Sequence, residues 1–347
     1  MLKLRRGVVV RVDPLVVEIE GAERRAWADT GLVGEIESGD EVIVNAEAQD
    51  LGLGSGGFDV VHVNLTRGLA GGGSGAGHVM KLNYTSLQHP VEPTEAPEGA
   101  IREGPRPPVL VIPVHGHLAP AAWAARQQAP DSSIGYVQTA GGALPGAMSR
   151  DVAELRSRGL VAGHVTAGPA YGGEREAISV VGALDAASSV LEWDAVIAGP
   201  GPGILGSATR FGHGGMAALE TAHAALALGA PTLVAPRLSS GDPRPRHLGL
   251  SHHSRSVLEL LLAGVRVPVP EVDAELWPTT DNGPGAYDEL LQVCRDRHDL
   301  AVEPVDLDGY AASGLPTATM GRELADDALF FAAALAAGRA LARATGG

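Results

Sequence analysis

The chain has 347 residues, of which 45% are apolar and 19% charged, so it is long enough for one large or two medium-sized domains and too apolar for general disorder. Its formal net charge of −15 argues against nucleic-acid binding, because affinity for phosphate backbones comes largely from Lys and Arg. The single cysteine, Cys294, excludes an internal disulfide and a multi-cysteine metal site. No signal peptide is visible, and the most apolar run, residues 328–337, is shorter than the ~20 residues of a membrane span. We expect a soluble, cytoplasmic protein.

Residues 1–67 predict a small β-barrel or β-sandwich. Short apolar and β-branched runs such as residues 8–12 and 41–45 are separated by tight turns and show no helical period. Small barrels often bind oligonucleotides, but this segment has seven Lys and Arg against twelve Asp and Glu. We therefore expect packing or protein interaction rather than nucleic-acid binding.

Residues 68–108 form a crossing segment between two domains. The stretch GLAGGGSGAGH (68–78) has the composition of a flexible linker, whereas the polar HVMKLNYTSLQHP begins at its end. The chain has only two lysines, so Lys81 and its neighbour Asn83 are candidates for ligand binding. A Pro- and Glu-rich connector, residues 94–108, completes the segment.

Residues 109–347 predict an α/β domain. Short, continuous apolar runs separated by amphipathic or Ala-rich stretches are typical of parallel strands buried on both faces. Seven such runs favour an open, doubly wound, Rossmann-like sheet, and a (β/α)8-like barrel, which needs eight strands, is the alternative. A long C-terminal helix should pack on the sheet or against another subunit. The predicted strands are residues 109–114, 134–140, 160–167, 194–199, 231–236, 265–270 and 300–305.

Two histidines follow the first of these strands, at the sheet edge where ligands collect in open α/β folds. Alternate residues of a strand point to one side, so His115 and His117 could converge on a zinc ion, as in metal-dependent hydrolases. The later strands supply no further histidine for such a site, and ordinary hydrogen bonding is the alternative. His115 is also a candidate for proton transfer.

The loop after residue 199 contains Gly201, Gly203 and Gly206 in the spacing G-x-G-x-x-G. Such glycines let backbone amides approach a phosphate, which predicts an anion-binding loop that ends near His213. NAD is a weaker alternative, because several residues separate the glycines from the next helix and the following strand leads to Arg237 rather than an acid. The glycines would also fit a role in tight turns and close packing.

Arginine and histidine concentrate in RPRHLGLSHHSR (244–255). Arg244 and Arg246 offer paired donors for a carboxylate or phosphate, with His247 as a further ligand-binding candidate. The alternative is that these arginines pair with acids of the protein itself.

The same stretch predicts a helix start. Ser251 is a favourable N-cap, and we also include it among the ligand-binding candidates. His252 and His253 follow in the first turn, where the helix dipole disfavours the imidazolium form. Neutral rings at this place can accept protons, hydrogen-bond or bind metal, so both are catalytic candidates.

A further candidate base is Glu174, which with Glu176 lies at a predicted helix start. Neither the G-x-S-x-G nor the G-x-x-x-x-G-K-[ST] motif occurs, which excludes the commonest serine hydrolases and P-loop enzymes.

Several motifs together resemble the bacterial domain-of-unknown-function family numbered 3866: VNLTRGL, GHVMKLNYTSLQ, GGALPGAMS, AYGGEREA, GPGPGILGSATRFGHGG and RPRHLGLSHH. The resemblance extends from about residue 60 through most of the chain. It implies that barrel, crossing segment and α/β domain form one unit, and it implies no activity.

The sequence therefore predicts binding or conversion of a small anionic metabolite, phosphorylated ones included, at the carboxyl edge of the α/β sheet. The alternatives are a non-catalytic interaction or assembly protein, or a zinc hydrolase that uses the His115 and His117 pair. Homo-oligomer formation stays open.

Overall fold

The computed structural model describes most of the chain, in two compact units of residues 1–92 and 93–347. The boundary falls inside the predicted crossing segment, and much of the Gly-rich stretch and of the Pro-rich connector lies outside the described residues. The described residues are 1–52, 57–70, 77–95, 97, 105–142, 145–207, 209–279 and 285–346.

The first unit contains the predicted small barrel, which closes through five strands: β1 (Leu4–Val12), β2 (Leu15–Ile19), β3 (Ala22–Trp27), β4 (Glu41–Asn45) and β5 (Asp59–Asn64). The order is β1-β2-β3-β5-β4, in which β3 and β5 are parallel and the other pairs antiparallel. Alternate residues such as Val42 and Val44 point inward and form an aliphatic core. Short helices α1 (Thr30–Val33) and α2 (Glu47–Asp50) and the hairpin of β6 (Val79–Lys81) and β7 (His89–Val91) complete the unit.

The second unit is built on an eight-stranded sheet with the order β11-β10-β9-β12-β8-β13-β16-β17, in which all pairs are parallel. Each of the seven predicted strands is present, and the short β11 adds an eighth at one edge. The sheet is open, so the barrel alternative is wrong. The strands of this unit are β8 (Val109–Val111), β9 (Ile134–Thr139), β10 (His164–Ala167), β11 (Arg175–Ala177), β12 (Ala195–Pro200), β13 (Thr232–Val234), β14 (Leu238–Ser239), β15 (Gly249–Leu250), β16 (Arg266–Glu271), β17 (Asp299–Pro304), β18 (Ala318–Thr319) and β19 (Arg322–Glu323).

Helices cover both faces of this sheet, which explains why its central strands are apolar on both sides. The helices are α3 (Leu118–Gln128), α4 (Arg150–Ser157), α5 (Val180–Ser189), α6 (Ala217–Ala227), α7 (His252–Leu260), α8 (Ala286–Cys294), α9 (Leu307–Ala311) and α10 (Ala328–Thr345). One apolar core contains α3, α4 and much of α10, and the other contains α5, α6 and α7. Among the described residues, α10 alone is long and apolar enough to cross a membrane by composition, but most of it is buried inside the protein, where it packs on α3 and β16. This agrees with the predicted helix on the sheet.

The connections place a topological switch point at the centre of the sheet. From β8 the chain passes through α3, over β12, to β9, and from β12 it passes through α6, over β8, to β13. Because α3 and α6 belong to the cores on opposite faces, the loops after β8 and β12 diverge at the carboxyl ends of these strands. Open α/β sheets bind ligands at this position.

The close packing of α10 on α3 gives a testable prediction. A Cβ on Gly338 would lie 2.1 Å from the carbonyl oxygen of Ala121. An alanine normally favours a helix by ~1 kcal/mol over glycine, but here it would overpack a backbone contact that has little room to move. Gly338→Ala should therefore lower the free energy of unfolding by about 1–3 kcal/mol, measured by urea denaturation.

Gly346→Ala is the matched control, since a Cβ on Gly346 would have no described atom within 4 Å. Unfolding free energies for Gly338→Ala that equal or exceed those of the parent would contradict this helix packing.

Candidate functional site

A cavity of about 580 Å³ lies at the carboxyl ends of the adjacent strands β12, β8 and β13. Its size is within the ~300–1,000 Å³ of small-molecule sites. The walls come from the turn after β8, the loop after β12, the segment from β13 to α7, and the hairpin of β18 and β19. The polar and glycine residues that line it are His115, Gly116, Gly201, Gly203, Gly206, Ser207, Arg237, Arg244, Arg246, His247, His253, Thr319 and Arg322.

The cavity wall is strongly cationic for a protein of net charge −15. Four arginines and three histidines line it, and no Asp or Glu is among its described lining residues. Three of the arginines, Arg237, Arg244 and Arg322, are held by one carboxylate behind the wall.

That carboxylate is Asp242, which is 2% exposed. Arg244 donates to it through both Nε and Nη2, at 2.8 and 2.7 Å. The equally buried Arg237 donates from Nη2 at 3.2 Å, and Arg322 Nη2 lies 3.5 Å from Oδ2. Arg322 also donates from Nε to the buried Asp327 at 2.9 Å, so three guanidinium groups share two carboxylates.

The charges of this network are fixed at neutral pH. Burial alone would raise the pKa of Asp242, but the hydrogen bonds and charge of Arg244, with the charge of Arg322, lower it well below its usual range. Burial lowers the pKa of Arg237 to about 10, which still leaves the group cationic. Asp242 therefore stays ionised, and the network has an excess of positive charge next to the cavity.

Arg246 stands apart from this network at the exposed rim. Its Nε donates to His247 Nε2 at 3.4 Å, and within the described part of the chain no carboxylate pairs with it. This guanidinium is thus available to a ligand, whereas Arg244 is already paired, as the alternative interpretation of the sequence proposed.

Four histidines from two segments meet beside the cavity: His213, His247, His252 and His253. The rings of His213 and His253 are stacked, with centroids 3.7 Å apart and planes 9° apart, and His252 lies 4.4 Å from His253. His247 lies 4.9 Å from both His252 and His253. One ring nitrogen from each of His213, His252 and His253 lies within 4.8 Å of the others, so these three residues could hold a metal ion.

The lowered pKa values favour the neutral form of all four rings, which was predicted for His252 and His253. Burial lowers the pKa of all four, to about 3 for His247 and about 2 for His253, and the charge of Arg237 adds to the effect. Burial is the largest cause for each of the four rings. Ser251 is the predicted N-cap of α7, since its Oγ accepts from His253 N at 3.3 Å, and it also bonds His247 Nδ1 at 2.8 Å.

The predicted convergence of His115 and His117 is wrong. Strand β8 ends at Val111, and the two histidines lie in a 3-10 turn, where residues two apart point in different directions. His115 lines the cavity. The fully buried His117 instead makes an edge-to-face contact with Phe330, with 4.6 Å between the ring centroids.

His115 is positioned by neighbouring loops. Its Nε2 lies 2.8 Å from Oγ of Ser149 and 3.8 Å from Oδ2 of Asp151, and its Nδ1 lies 3.4 Å from the hydroxyl of Tyr136. Burial lowers its pKa, so the ring is a neutral hydrogen-bonding group at the cavity wall.

The predicted helix start at Glu174 is also wrong. Glu174 directly precedes the edge strand β11, and α5 begins later, at Val180. The carboxylate accepts from Arg156 Nε at 2.6 Å and from the backbone of His164, and it is not among the described lining residues of the cavity.

The three glycines of the loop after β12 line the cavity, one of them in a backbone conformation that favours glycine and another in close contact with a side chain. Gly203 has φ +75°, and a Cβ on Gly201 would lie 2.2 Å from the side chain of Gln138. Helix α6 begins only at Ala217, after the 3-10 turn Gly214–Met216, so the loop lacks the adjoining helix N-terminus of a dinucleotide fingerprint.

Lys81 and Asn83 belong to the first unit. Lys81 is buried at the end of β6, and Asn83 Oδ1 accepts from Tyr84 N at 3.0 Å. Their ligand-binding role stays a prediction.

A family model described as "Protein of unknown function (DUF3866)" matches residues 25–338. The chain belongs to this family. No curated protein and no solved structure matches the chain significantly. The DUF3866 match contains every described residue that lines the cavity, so the cavity lies wholly within the family domain.

Several important residues of this DUF3866 protein carry no sequence signal. Asp242, Arg322 and Asp327 belong to no motif and lie up to 85 positions apart, so their meeting depends on the fold. Arg237 gives one hint, because it follows a buried strand directly and leads into the Arg- and His-rich stretch.

The Asp242 network gives a second prediction. Asp242→Asn would leave the buried Arg237 without its nearest countercharge, and removal of one partner from a buried ion pair costs about 3–5 kcal/mol. Urea denaturation at pH 7 measures this loss. Glu154→Gln, which removes the exposed pair with Arg158, is the control and should change stability by less than about 1 kcal/mol.

The pH dependence has a definite sign. The pKa of Asp242 is lower in the folded protein than the ~3.9 of an unfolded aspartate, so its contribution is complete above about pH 5 and declines as the pH falls below about 4. The stability difference between parent and Asp242→Asn should narrow over that acidic range. A difference that is small at pH 7, or constant down to pH 3, would contradict the role of Asp242.

Proposed function

We propose that the cavity binds a small anionic metabolite that carries a carboxylate or phosphate group. The observation that carries this proposal is the composition of the wall: four arginines, three histidines and no carboxylate among the described lining residues of an acidic protein. Arginine guanidinium groups bind both kinds of anion through paired hydrogen bonds.

The fixed position of the arginines supports the proposal. Because Asp242 accepts two hydrogen bonds from Arg244, this side chain has lost its rotamer freedom before a ligand arrives. Prior ordering reduces the entropic cost of binding. Arg246 supplies a cation that is not compensated by any described carboxylate, and the loop of Gly201, Gly203 and Gly206 lets a ligand approach the backbone closely.

Neutral imidazoles at the wall favour conversion of the ligand as well as binding. His115, His247 and His253 all line the cavity, and their lowered pKa values leave them as uncharged hydrogen-bonding groups. His115 is the best proton-transfer candidate of the three, because the pKa values of about 3 for His247 and about 2 for His253 are too low for a base near neutral pH. The acidic composition and the buried position of α10 fit a cytoplasmic location for such an activity.

A thermal-shift screen of carboxylate- and phosphate-bearing metabolites tests the binding. A ligand at 100 times its Kd should add about 2.7 kcal/mol to the free energy of unfolding. The affinity should fall with ionic strength, because the arginines contribute through charge.

Arg246→Gln should weaken the binding of the best ligand by about 10- to 100-fold, as expected for loss of a charge-assisted hydrogen bond, while thermal stability stays unchanged. Arg295→Gln makes the same charge change at an exposed arginine outside the cavity lining, and it should bind like the parent. If no anion stabilises the parent, or if the two variants bind equally, the proposal fails.

A further inference from the structure

We propose that His213, His252 and His253 form a binding site for one divalent transition-metal ion of the zinc class beside the anion cavity. The potential ligand nitrogens of these three residues lie within 4.8 Å of one another. The site is different from the His115 and His117 pair that the sequence suggested, and it does not depend on the proposed anion binding.

Unpartnered nitrogens are the main support for the site. His213 Nδ1, His252 Nε2 and His253 Nδ1 are buried and have no hydrogen-bond partner among the described residues. His213 and His253 are each only 6% exposed, so bulk water does not satisfy these atoms. A buried polar atom without a partner costs free energy, and one metal ion would satisfy all three at once.

The tautomer of His213 is the one that a metal ligand needs. Its Nε2 lies 3.1 Å from the carbonyl oxygen of Arg210, which can only accept, so Nε2 carries the hydrogen and donates it. Nδ1 is then left with a free lone pair. A histidine ligand that donates its other ring N–H to a backbone carbonyl is the usual arrangement in metal sites.

A glycine leaves space next to two of these nitrogens. A Cβ on Gly215 would lie 3.0 Å from His213 Nδ1 and 3.1 Å from His253 Nδ1. Both nitrogens therefore lie near the same backbone position, in the middle of the Gly214–Met216 turn. Any larger residue would place a methyl group where an ion could approach them.

The separations of the nitrogens are compatible with one ion. With Zn–N bonds of about 2.0–2.1 Å, the nitrogens of a tetrahedral site lie roughly 3.3 Å apart. The three nitrogens all lie within 4.8 Å of one another, so at most a small rotation of the rings is needed to reach that geometry.

The surroundings determine the class of ion and its remaining ligand. Three imidazoles suit Zn²⁺, Co²⁺, Ni²⁺ or Cu²⁺, whereas Mg²⁺ and Ca²⁺ prefer oxygen. The positive charge of Arg237 acts on all three histidines, so a bare dication is disfavoured and the remaining coordination position should take an anion or water. Since His253 lines the cavity, an ion held there would border it.

Metal binding to the untagged, full-length chain tests the inference. The protein is stripped with a chelator, dialysed against Zn²⁺ in chloride buffer with and without sulfate, and its metal content measured by elemental analysis. We expect one ion per chain, and visible absorption of a nitrogen-ligated complex when Co²⁺ replaces Zn²⁺. We expect Zn²⁺ affinity to fall more than about tenfold in each of the single variants His213→Ala, His252→Ala and His253→Ala. Loss of a residue that only supports a metal ligand already costs about tenfold or more, so loss of a ligand should cost at least as much.

Two controls separate the metal site from other histidines and from the anion site. His223→Gln, on α6 outside the cluster, and Arg295→Gln, at an exposed position outside the cavity lining, should both bind Zn²⁺ like the parent. Because the anion screen is run with chelator present and the metal measurement needs no anionic metabolite, either proposal can fail without the other.

Gly215→Ala addresses the case in which a histidine variant does not fold. It keeps all three rings and should weaken Zn²⁺ binding while circular dichroism and thermal unfolding of the metal-free protein stay close to those of the parent. No saturable Zn²⁺ binding in either buffer, or binding that survives in folded variants of all three histidines, would overturn the inference.

Discussion

The architecture of the cavity depends on one buried carboxylate. Asp242 holds Arg244 through both of its oxygens and also pairs with Arg237, while Arg322 connects it to Asp327 at the start of α10. Burying guanidinium groups is costly without such partners, so the network can exist only as a whole. Because the acids lie behind the wall and the arginines form it, an acidic protein presents a cationic surface at the switch point of its sheet.

The small residues of the chain let the loops come close enough to build this site. At the sheet edge, a Cβ on Gly214 would lie 2.0 Å from the carbonyl oxygen of Gly141, so the loops after β9 and β12 touch through their backbones. The same closeness brings the histidines of α7 to His213. An Ala- and Gly-rich composition with few aromatics therefore has a direct structural consequence: backbone approach replaces bulky side chains in the packing of the loops.

Much of the fold could be predicted from the sequence, because continuous apolar runs report strands buried on both faces, and all seven of them are strands. The edge strand β11 has no such run, since Arg175 and Glu176 face solvent in part. The same polarity suggested a helix start there. The segments that line the cavity could be predicted from the sequence, because glycine, arginine and histidine cluster after predicted strands. Asp242 and Arg322 could not be predicted as cavity residues, because they lie 80 positions apart in the sequence and meet only in the folded protein. The predicted convergence of His115 and His117 is wrong because β8 ends before them.

Anomalous diffraction from crystals soaked in selenate would test the central claim most directly, since selenate is a small oxyanion whose position can be identified without assumptions about the ligand. We expect the strongest selenium peak inside the cavity, within hydrogen-bonding distance of Arg246 and facing the loop of Gly201, Gly203 and Gly206. Selenate bound only at other arginines, with the cavity occupied by water, would contradict the account of this wall as an anion site.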